Sequence, residues 1–257
     1  MPTNHSDSPG ESSLIQHLIE LRSRLLRSIA VVLLVFICLY PFANDMYTLL
    51  AQPLLSQLPE NATMIATDVT SPFMAPLKLS LLVALLIALP YVFYQVWAFV
   101  APGLYRHERR LIFPLIVSSV VLFYLGLLFA YYLVFPMVLG FFTSIAPEGV
   151  SVMTDITSYL DFVLKMFLAF GLVFEVPIVT VVLIYSGLVT VQQLVDKRPY
   201  IIVGAFVIGM LLTPPDVFSQ TMLAVPMWLL FELGLLVARL IPARTKPEAE
   251  TVKEDSR

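Results

Sequence analysis

The chain has 257 residues, of which 59% are hydrophobic and only 13% are charged, and its mean hydropathy is +0.88. Soluble domains carry about a quarter charged residues, so this composition excludes an ordinary soluble domain and indicates an integral membrane protein. The net charge of −3 is uninformative here, because the orientation of a membrane protein depends on how Lys and Arg are distributed among its loops.

Residues that carry chemistry are too scattered for a catalytic or metal centre. Cys38 is the single cysteine, which excludes an intrachain disulfide. The three histidines, His5, His17 and His107, are dispersed. The sequence also lacks a plausible nucleophile and base pair and a glycine-rich phosphate loop. We therefore expect no enzyme activity, no catalytic residue, no metal and no cofactor.

The chain begins with a polar segment, residues 1–24, that is predicted to be retained and cytoplasmic. Its first 13 residues lack the early basic and apolar regions of a cleavable signal peptide. Further on, Glu20 and Arg24 are spaced for an i,i+4 ion pair in the favourable order. That pair is the ordinary explanation for an acid at this position.

Six apolar segments follow and predict helices in the membrane. Backbone polar groups cannot stay unpaired in lipid, so each segment should be helical in the absence of barrel-like alternation. The predicted fold class is an all-α polytopic membrane protein, forming a single membrane domain over 1–257 with its six-helix bundle at 25–241. The segments are residues 25–42, 79–100, 111–134, 160–185, 200–212 and 218–241.

The connections alternate between basic loops and loops without Lys or Arg. Residues 43–76, 135–159 and 213–217 carry neither, so the positive-inside rule places them outside and both termini in the cytoplasm, including the polar tail 242–257. The long external loop 43–76 is proline-rich with spaced apolar residues. It is expected to form short surface helices that cap the outer ends of the bundle.

One ionisable residue, Glu175, lies 15 residues into the fourth segment. A charge near the middle of the membrane costs at least about 2.5–3.5 kcal/mol, so this carboxyl should face the bundle interior or a water-filled cavity. A functional carboxyl and a protonated one that serves packing alone both stay open. Pro177 can kink the helix, and Lys165 is expected to pair with Asp161 at i,i+4 rather than with Glu175.

The fifth and sixth segments are predicted to be short. Residues 200–212 would cover about 20 Å at 1.5 Å per residue, less than a hydrocarbon core of roughly 30 Å. In the sixth segment, only 11 residues separate Gln220 from Glu232. We expect both helices to span poorly and the bilayer to thin beside them.

Two acids lie among the basic residues of the predicted cytoplasmic side, Glu20 and, in the stretch GLYRHERRL at 103–111, Glu108. An arginine presents a planar fork that binds a carboxylate bidentately, and lysine cannot match that geometry. A pair of carboxylates is therefore suited to a ligand with a pair of arginines. The neighbouring basic residues would repel other cations and sharpen this selection.

Seven motifs follow one another along the chain: HLIELRSRL, PLLSQLP, TDVTSPF, YQVWAFVAPGLYRHERR, FEVP, KRPY and VGAFVIGMLLTPPDVFSQ. With these motifs the sequence resembles the TatC family, the large subunit of the twin-arginine protein translocase, and is especially similar to its proteobacterial members. The resemblance implies the receptor and core subunit of a translocase that exports folded proteins with twin-arginine signal peptides, driven by the proton-motive force. It also implies a concave, glove-like wall of six helices.

The resemblance also assigns roles to residues. Glu20 and Glu108 would form the signal-peptide site, and Glu175 would face the hollow of the wall. Thr213 and Gln220 would be docking points for single-helix partners. The remaining contacts of the signal-peptide site would be Arg22, Phe99, Leu104 and Arg106, the last standing where many members have Lys.

The partners implied are the single-helix subunits TatA and TatB, twin-arginine signal peptides, membrane lipids and further copies of this chain, without nucleic acid. The location implied is the cytoplasmic, or inner, membrane. The main alternative is a proton-coupled small-solute transporter that uses Glu175 as its relay. Against it, the sequence has no internal repeat and few intramembrane polar groups.

Overall fold

The computed structural model describes residues 9–55, 65–104, 112–145, 155–212 and 217–240. The chain divides into two compact units, Met1–Leu172 and Val173–Arg257. Every regular element within the described residues is helical, which confirms the predicted all-α class. The helices up to the unit boundary are α1 (Pro9–Leu39), α2 (Ala43–Leu55), α3 (Ser71–Leu104), α4 (Ile112–Phe129), α5 (Phe135–Ile145) and α6 (Ile156–Phe174).

The second unit continues with four helices. Thr190 starts α8 with a reciprocal capping box in which its hydroxyl accepts from the Gln193 amide and the Gln193 side chain accepts from the Thr190 amide. Gly187, with a φ of 72°, ends the preceding helix in the left-handed conformation that glycine adopts without cost. The helices are α7 (Val176–Tyr185), α8 (Val191–Asp196), α9 (Arg198–Leu212) and α10 (Val217–Leu240).

The six predicted segments each have a helical counterpart. The counterpart of the fifth segment is an apolar stretch, Arg198–Leu211 within α9, that is shorter than the stretches long enough to cross a membrane. The π-helical turn Ala130–Val134 joins α4 to α5, so the third segment continues as one long helical stretch. Within the described residues, five stretches are long and apolar enough to cross a membrane: Ile15–Leu50, Ser71–Val100, Phe113–Phe141, Ile156–Tyr185 and Gln220–Leu240. The concave arrangement of the helices stays a prediction.

The sixth helix, α10, extends beyond the 11-residue stretch between Gln220 and Glu232 on which the prediction of a short span rests. α10 has 24 residues, which span about 36 Å and suffice for the hydrocarbon core. Within α10, Glu232 Oε2 accepts a hydrogen bond from Arg198 Nη2 at 2.6 Å, and this ion pair balances the charge of the acid. The 15-residue α9 is short, as predicted.

The ion pair predicted within α6 is wrong. Asp161 pairs with Lys78 of α3, with 2.7 Å between Nζ and Oδ1, and Lys165 is exposed. The i,i+4 spacing permits a contact along one helix, but the packing of α3 against α6 brings another ammonium group to the same carboxylate. The two paired residues are 83 positions apart in the chain, so this ion pair joins α3 to α6.

The predicted external loop, residues 43–76, contains the short helix that its pattern of proline and apolar residues predicted. α2 packs Met46, Tyr47 and Leu50 against a buried cluster in which Leu79 of α3 and Leu160 of α6 are almost fully buried. This contact anchors the helix at one end of α3 and α6. Residues 56–64 of the predicted cap lie outside the described residues.

Asp155 fastens the chain before α3 to the start of α6. Its Oδ1 accepts from the Thr67 amide and hydroxyl at 3.1 and 2.9 Å, and its Oδ2 accepts from the Ser158 amide and hydroxyl at 2.9 and 3.0 Å. Beside it, the Ile156 amide donates to the Ile65 carbonyl at 2.9 Å. Hydrogen bonds from the amides of Ser158 and Thr67 hold the pKa of Asp155 well below its usual range.

We expect Asp155→Asn to lower the thermal midpoint of the chain at pH 7, because a carboxylate accepts all four hydrogen bonds and an amide cannot. A depressed folded-state pKa contributes stability above the unfolded-state pKa and loses it as the pH falls through the folded-state value. The difference from wild type should therefore shrink as the pH falls below about 4. Melting curves of both chains in detergent at pH 7 and pH 3 measure this difference in thermal midpoint.

The matched control for this prediction is Asp68→Asn, an exposed acid in the connection before α3, which should change the midpoint little at either pH. An Asp155→Asn penalty of the same size at pH 7 and pH 3 would contradict the role of the ionised carboxylate.

Candidate functional site

Glu20, the first predicted site residue, lies on α1 in an ion pair with Arg24. Arg24 Nε and Nη2 donate to Glu20 Oε1 at 2.9 and 2.7 Å, so the predicted i,i+4 pair is confirmed. The Glu20 side chain is 39% exposed and the Arg24 side chain is 22% exposed. The carboxylate is therefore partly shielded from water yet still open to an incoming donor.

Arg24 is also held from α3, which the sequence did not predict. Its Nη1 donates to Gln95 Oε1 at 3.1 Å, and Gln95 Nε2 donates to the Tyr91 hydroxyl at 2.8 Å. Gln95 is only 5% exposed, and a buried amide needs such partners on both of its ends. Arg24 and Gln95 are 71 residues apart, so no local spacing could reveal the contact.

Phe99, another predicted contact, lies near Glu20 through its stacking on His17. The two rings are stacked with centroids 4.2 Å apart and an interplanar angle of 17°. His17 lies three residues before Glu20 on α1, so it belongs to the same helical face. Arg22 is exposed on α1.

The second carboxylate of the predicted site lies beyond what the structure describes. Glu108 and Arg106 are outside the described residues, and Leu104 is the last residue of α3. The structure thus brings Glu20 and Phe99 to the contact of α1 with α3. The pairing of Glu20 with Glu108 stays a prediction.

Glu175 lies where the fourth segment is interrupted, between α6 and α7. It is 7% exposed, so the prediction of a buried carboxyl is confirmed, and its carbonyl accepts from the Val179 amide at 2.9 Å. Pro177 has no amide proton to donate, which accounts for the interruption of the helical hydrogen bonds at this point. The role of the carboxyl stays a prediction.

The backbone of α7 approaches α10 closely just after Glu175. A Cβ atom at Gly234 would lie 2.8 Å from Pro177 Cα and 3.1 Å from Thr180 Cβ. Such distances leave no room for a side chain at position 234. The close approach at Gly234 therefore holds α7 against α10 just after Glu175.

Of the two predicted docking residues, Gln220 is described and Thr213 lies outside the described residues. Gln220 Nε2 donates to the Phe206 carbonyl of α9 at 2.8 Å, and a Cβ at Gly209 would lie 3.3 Å from Gln220 Cγ. Gln220 therefore joins the first turn of α10 to α9. Its role toward a partner stays a prediction.

The described groups near Glu20 are suited to bind a cation. Among the described side chains, no group of three or more His, Cys, Asp or Glu residues could hold a metal ion. The contact of α1 with α3 offers instead a half-exposed carboxylate, two aromatic rings and a buried amide. Of this set, the Glu20 carboxylate is the group that can accept a hydrogen bond from a cation.

Comparison with known proteins gives one consistent family. The sequence model described as "Sec-independent protein translocase protein (TatC)" matches residues 16–226. Proteins with that name are 59% identical in Azotobacter chroococcum, over 96% of this chain and 97% of the relative, and 56% identical in Escherichia coli, over 92% of each. The one from Haemophilus influenzae is 58% identical over 95% of each chain.

Solved structures agree with the sequence comparison. A crystal structure described as the twin arginine translocase receptor TatC superposes with a TM-score of 0.79 at 40% identity, covering 87% of this chain and 98% of its own. A second structure of such a receptor, in the detergent DDM, gives a TM-score of 0.78 at 38% identity, covering 86% and 99%.

We expect Gly234→Ala to destabilise the packing of α7 on α10 by about 1–3 kcal/mol, the usual cost of overpacking a close contact. Gly204→Ala is the matched control, because nothing lies within 4 Å of a Cβ at position 204. That control should be neutral or slightly stabilising, since alanine is the better helix former. Thermal unfolding in detergent compares them, and equal midpoints would contradict the close approach.

Proposed function

We propose, from the premise that this chain belongs to the TatC family, that it is the receptor and core subunit of a translocase for folded proteins. The cargo would carry twin-arginine signal peptides, and the proton-motive force would drive export across the cytoplasmic membrane. The observation that carries the proposal is the half-exposed Glu20 carboxylate at the contact of α1 with α3. It lies in a chain that matches a twin-arginine translocase receptor over most of its length.

In this proposal Glu20 and Glu108 each accept one arginine of the signal peptide. A charge-assisted hydrogen bond contributes about 1.5–3 kcal/mol when partly shielded and less when fully exposed. The 39% exposure of Glu20 places it between these limits. The surrounding contacts to the peptide are proposed for Arg22, Phe99, Leu104 and Arg106.

Glu20→Gln and Glu108→Gln should each weaken binding of a twin-arginine peptide by about tenfold, because each removes one charge-assisted contact. A twin-lysine peptide should bind weakly to the wild-type chain, since lysine lacks the bidentate fork. Fluorescence titration of both peptides against the full chain in nanodiscs measures these affinities.

Asp196→Asn is the control for these variants, since Asp196 is an exposed acid on the same predicted side of the membrane, and it should leave binding unchanged. If the Glu20, Glu108 double variant kept the wild-type preference for paired arginines, the recognition site would lie elsewhere.

We further propose that Glu175 acts in transport. A carboxyl that is 7% exposed carries a desolvation cost that an apolar residue of similar size would avoid. This cost supports a role beyond packing. In the alternative function, a small-solute transporter, Glu175 would be the proton relay. The export role is favoured because the similar proteins are named protein translocases.

Glu175→Gln should therefore insert stably and impair export of a twin-arginine reporter, because it keeps shape and hydrogen bonding while removing the titratable group. Reporter export in cells and chain abundance in isolated membranes are measured together. Normal export by Glu175→Leu at normal abundance would remove the functional role of this carboxyl.

The proposed location is the inner membrane, with residues 1–24 and 242–257 in the cytoplasm and the cap 43–76 outside. The whole chain would form a single membrane domain. This orientation rests on the alternation of basic loops with loops that lack Lys and Arg.

The orientation predicts opposite labelling of two exposed loop residues in a Cys38→Ser background. Val69→Cys should react with a membrane-impermeant maleimide added from outside, and Leu188→Cys should react only after the inner membrane is opened. Both residues are exposed in the structure. The reverse pattern would contradict the assigned orientation.

The proposed partners are the single-helix subunits TatA and TatB, other copies of this chain and membrane lipids. We propose that the single-helix partners dock at Thr213 and Gln220, beside the short α9. An interhelical hydrogen bond there would contribute roughly 0.6–2 kcal/mol. Neither an enzymatic reaction nor a nucleic acid ligand belongs to the proposal.

A further inference from the structure

The Glu20 carboxylate, proposed above to accept a ligand arginine, is already bound by an arginine of the same chain. Arg24 directs both Nε and Nη2 to a single oxygen, Oε1, at 2.9 and 2.7 Å. Within the part of the chain that the structure describes, Oε2 accepts no hydrogen bond. A side-on fork would use both oxygens, so this geometry keeps one oxygen available.

Arg24 is fixed in this position by a relay on α3. Its third nitrogen, Nη1, donates to Gln95 Oε1 at 3.1 Å, and Gln95 Nε2 donates to the Tyr91 hydroxyl at 2.8 Å. The Tyr91 contact sets which end of the Gln95 amide faces the guanidinium. Because Gln95 is 5% exposed, water competes little for these bonds and the amide stays oriented.

The relay belongs to a longer match between two helical faces. Tyr91, Gln95 and Phe99 recur every four residues and form one stripe on α3. The stripe meets α1 twice, where Gln95 binds Arg24 and where Phe99 stacks on His17 at 4.2 Å. Glu20 lies between His17 and Arg24 on α1, so both of its neighbours on that face are held by α3.

We propose that Arg24, held by Gln95 and Tyr91, is a positioning residue that makes Glu20 selective for arginine over lysine. The inference rests on the proposed function of Glu20 as a receptor carboxylate. Arg24 neutralises Glu20, so little net charge remains to attract a lysine from solution. It also orients the carboxylate, so that Oε2 presents its lone pairs in one direction to a donor of matching geometry.

The opposite role would be competition, in which Arg24 simply occupies the place of the ligand. The two roles differ in sign when Arg24 is removed. A competitor should release the site and raise the affinity for a twin-arginine peptide. A positioning residue should lower that affinity and leave an isolated carboxylate that attracts any cation.

The test uses the full chain in nanodiscs and two synthetic peptides, one with paired arginines and one with paired lysines in the same sequence. Arg24→Gln should lower the affinity for the twin-arginine peptide about tenfold, which is the effect of losing one charge-assisted contact. The twin-lysine peptide should bind as in wild type or up to threefold more tightly. Its binding should also depend more steeply on salt, because attraction would then come from unpaired charge.

Two milder variants keep the test informative if Arg24→Gln folds poorly. Arg24→Lys keeps the charge but cannot hold Oε1 and Gln95 together, so selectivity should fall despite unchanged net charge. Tyr91→Phe removes only the hydroxyl that orients Gln95, and should reduce the preference for arginine about threefold, a smaller effect than loss of a charged contact.

Arg198→Gln is the matched control, because Arg198 also forms a part-buried pair with a glutamate, Glu232, at 2.6 Å. It should leave the preference unchanged. If the wild-type chain itself does not discriminate between the peptides, the proposed function fails. If wild type discriminates and the Arg24 and Tyr91 variants discriminate equally well, or if twin-arginine affinity rises in Arg24→Gln, this inference alone is overturned.

Discussion

A bilayer offers no hydrogen-bond partner in its hydrocarbon core, so each polar group that a helix carries there must be satisfied by the chain. The described contacts follow this constraint. Trp97 Nε1 donates to the Ser119 hydroxyl at 3.0 Å, and the Tyr124 hydroxyl donates to the Leu86 carbonyl at 2.7 Å. Both bonds join α3 to α4. Polar pairs of this kind fix which helix faces meet, since apolar faces alone would not distinguish a neighbouring helix from lipid.

The same constraint separates structural polar groups from the proposed recognition site. Ser119 is fully buried and Gln95 nearly so, and each serves a partner within the chain. Glu20 differs because its side chain is 39% exposed even though it forms an ion pair. A carboxylate that is oriented by its neighbours and still exposed to solvent is suited to bind a cationic ligand. The stability of α1 against α3 and the presentation of Glu20 thus depend on one set of contacts.

Hydropathy alone predicted the helices, because lipid leaves the backbone no alternative to internal hydrogen bonds. The buried carboxyl at Glu175 and the Glu20 and Arg24 pair were also predictable, since both follow from position along one segment. Contacts between helices were not. The sequence suggested Lys165 for Asp161, whereas the structure places Lys78 there. The Gln95 contact to Arg24 likewise depends on helix register, which no local spacing encodes. Glu232 of the sixth helix likewise pairs with Arg198, 34 residues away, and no local spacing indicates that contact.

The central claim is that a twin-arginine peptide binds at the contact of α1 with α3. The most direct measurement places a photoreactive group on the peptide beside its arginines and maps the crosslinked residues of the unaltered chain by mass spectrometry. We expect crosslinks in residues 17–24 and 95–110 that are lost with excess unlabelled twin-arginine peptide and kept with excess twin-lysine peptide. Crosslinks confined to residues 173–257, or equal competition by both peptides, would contradict it.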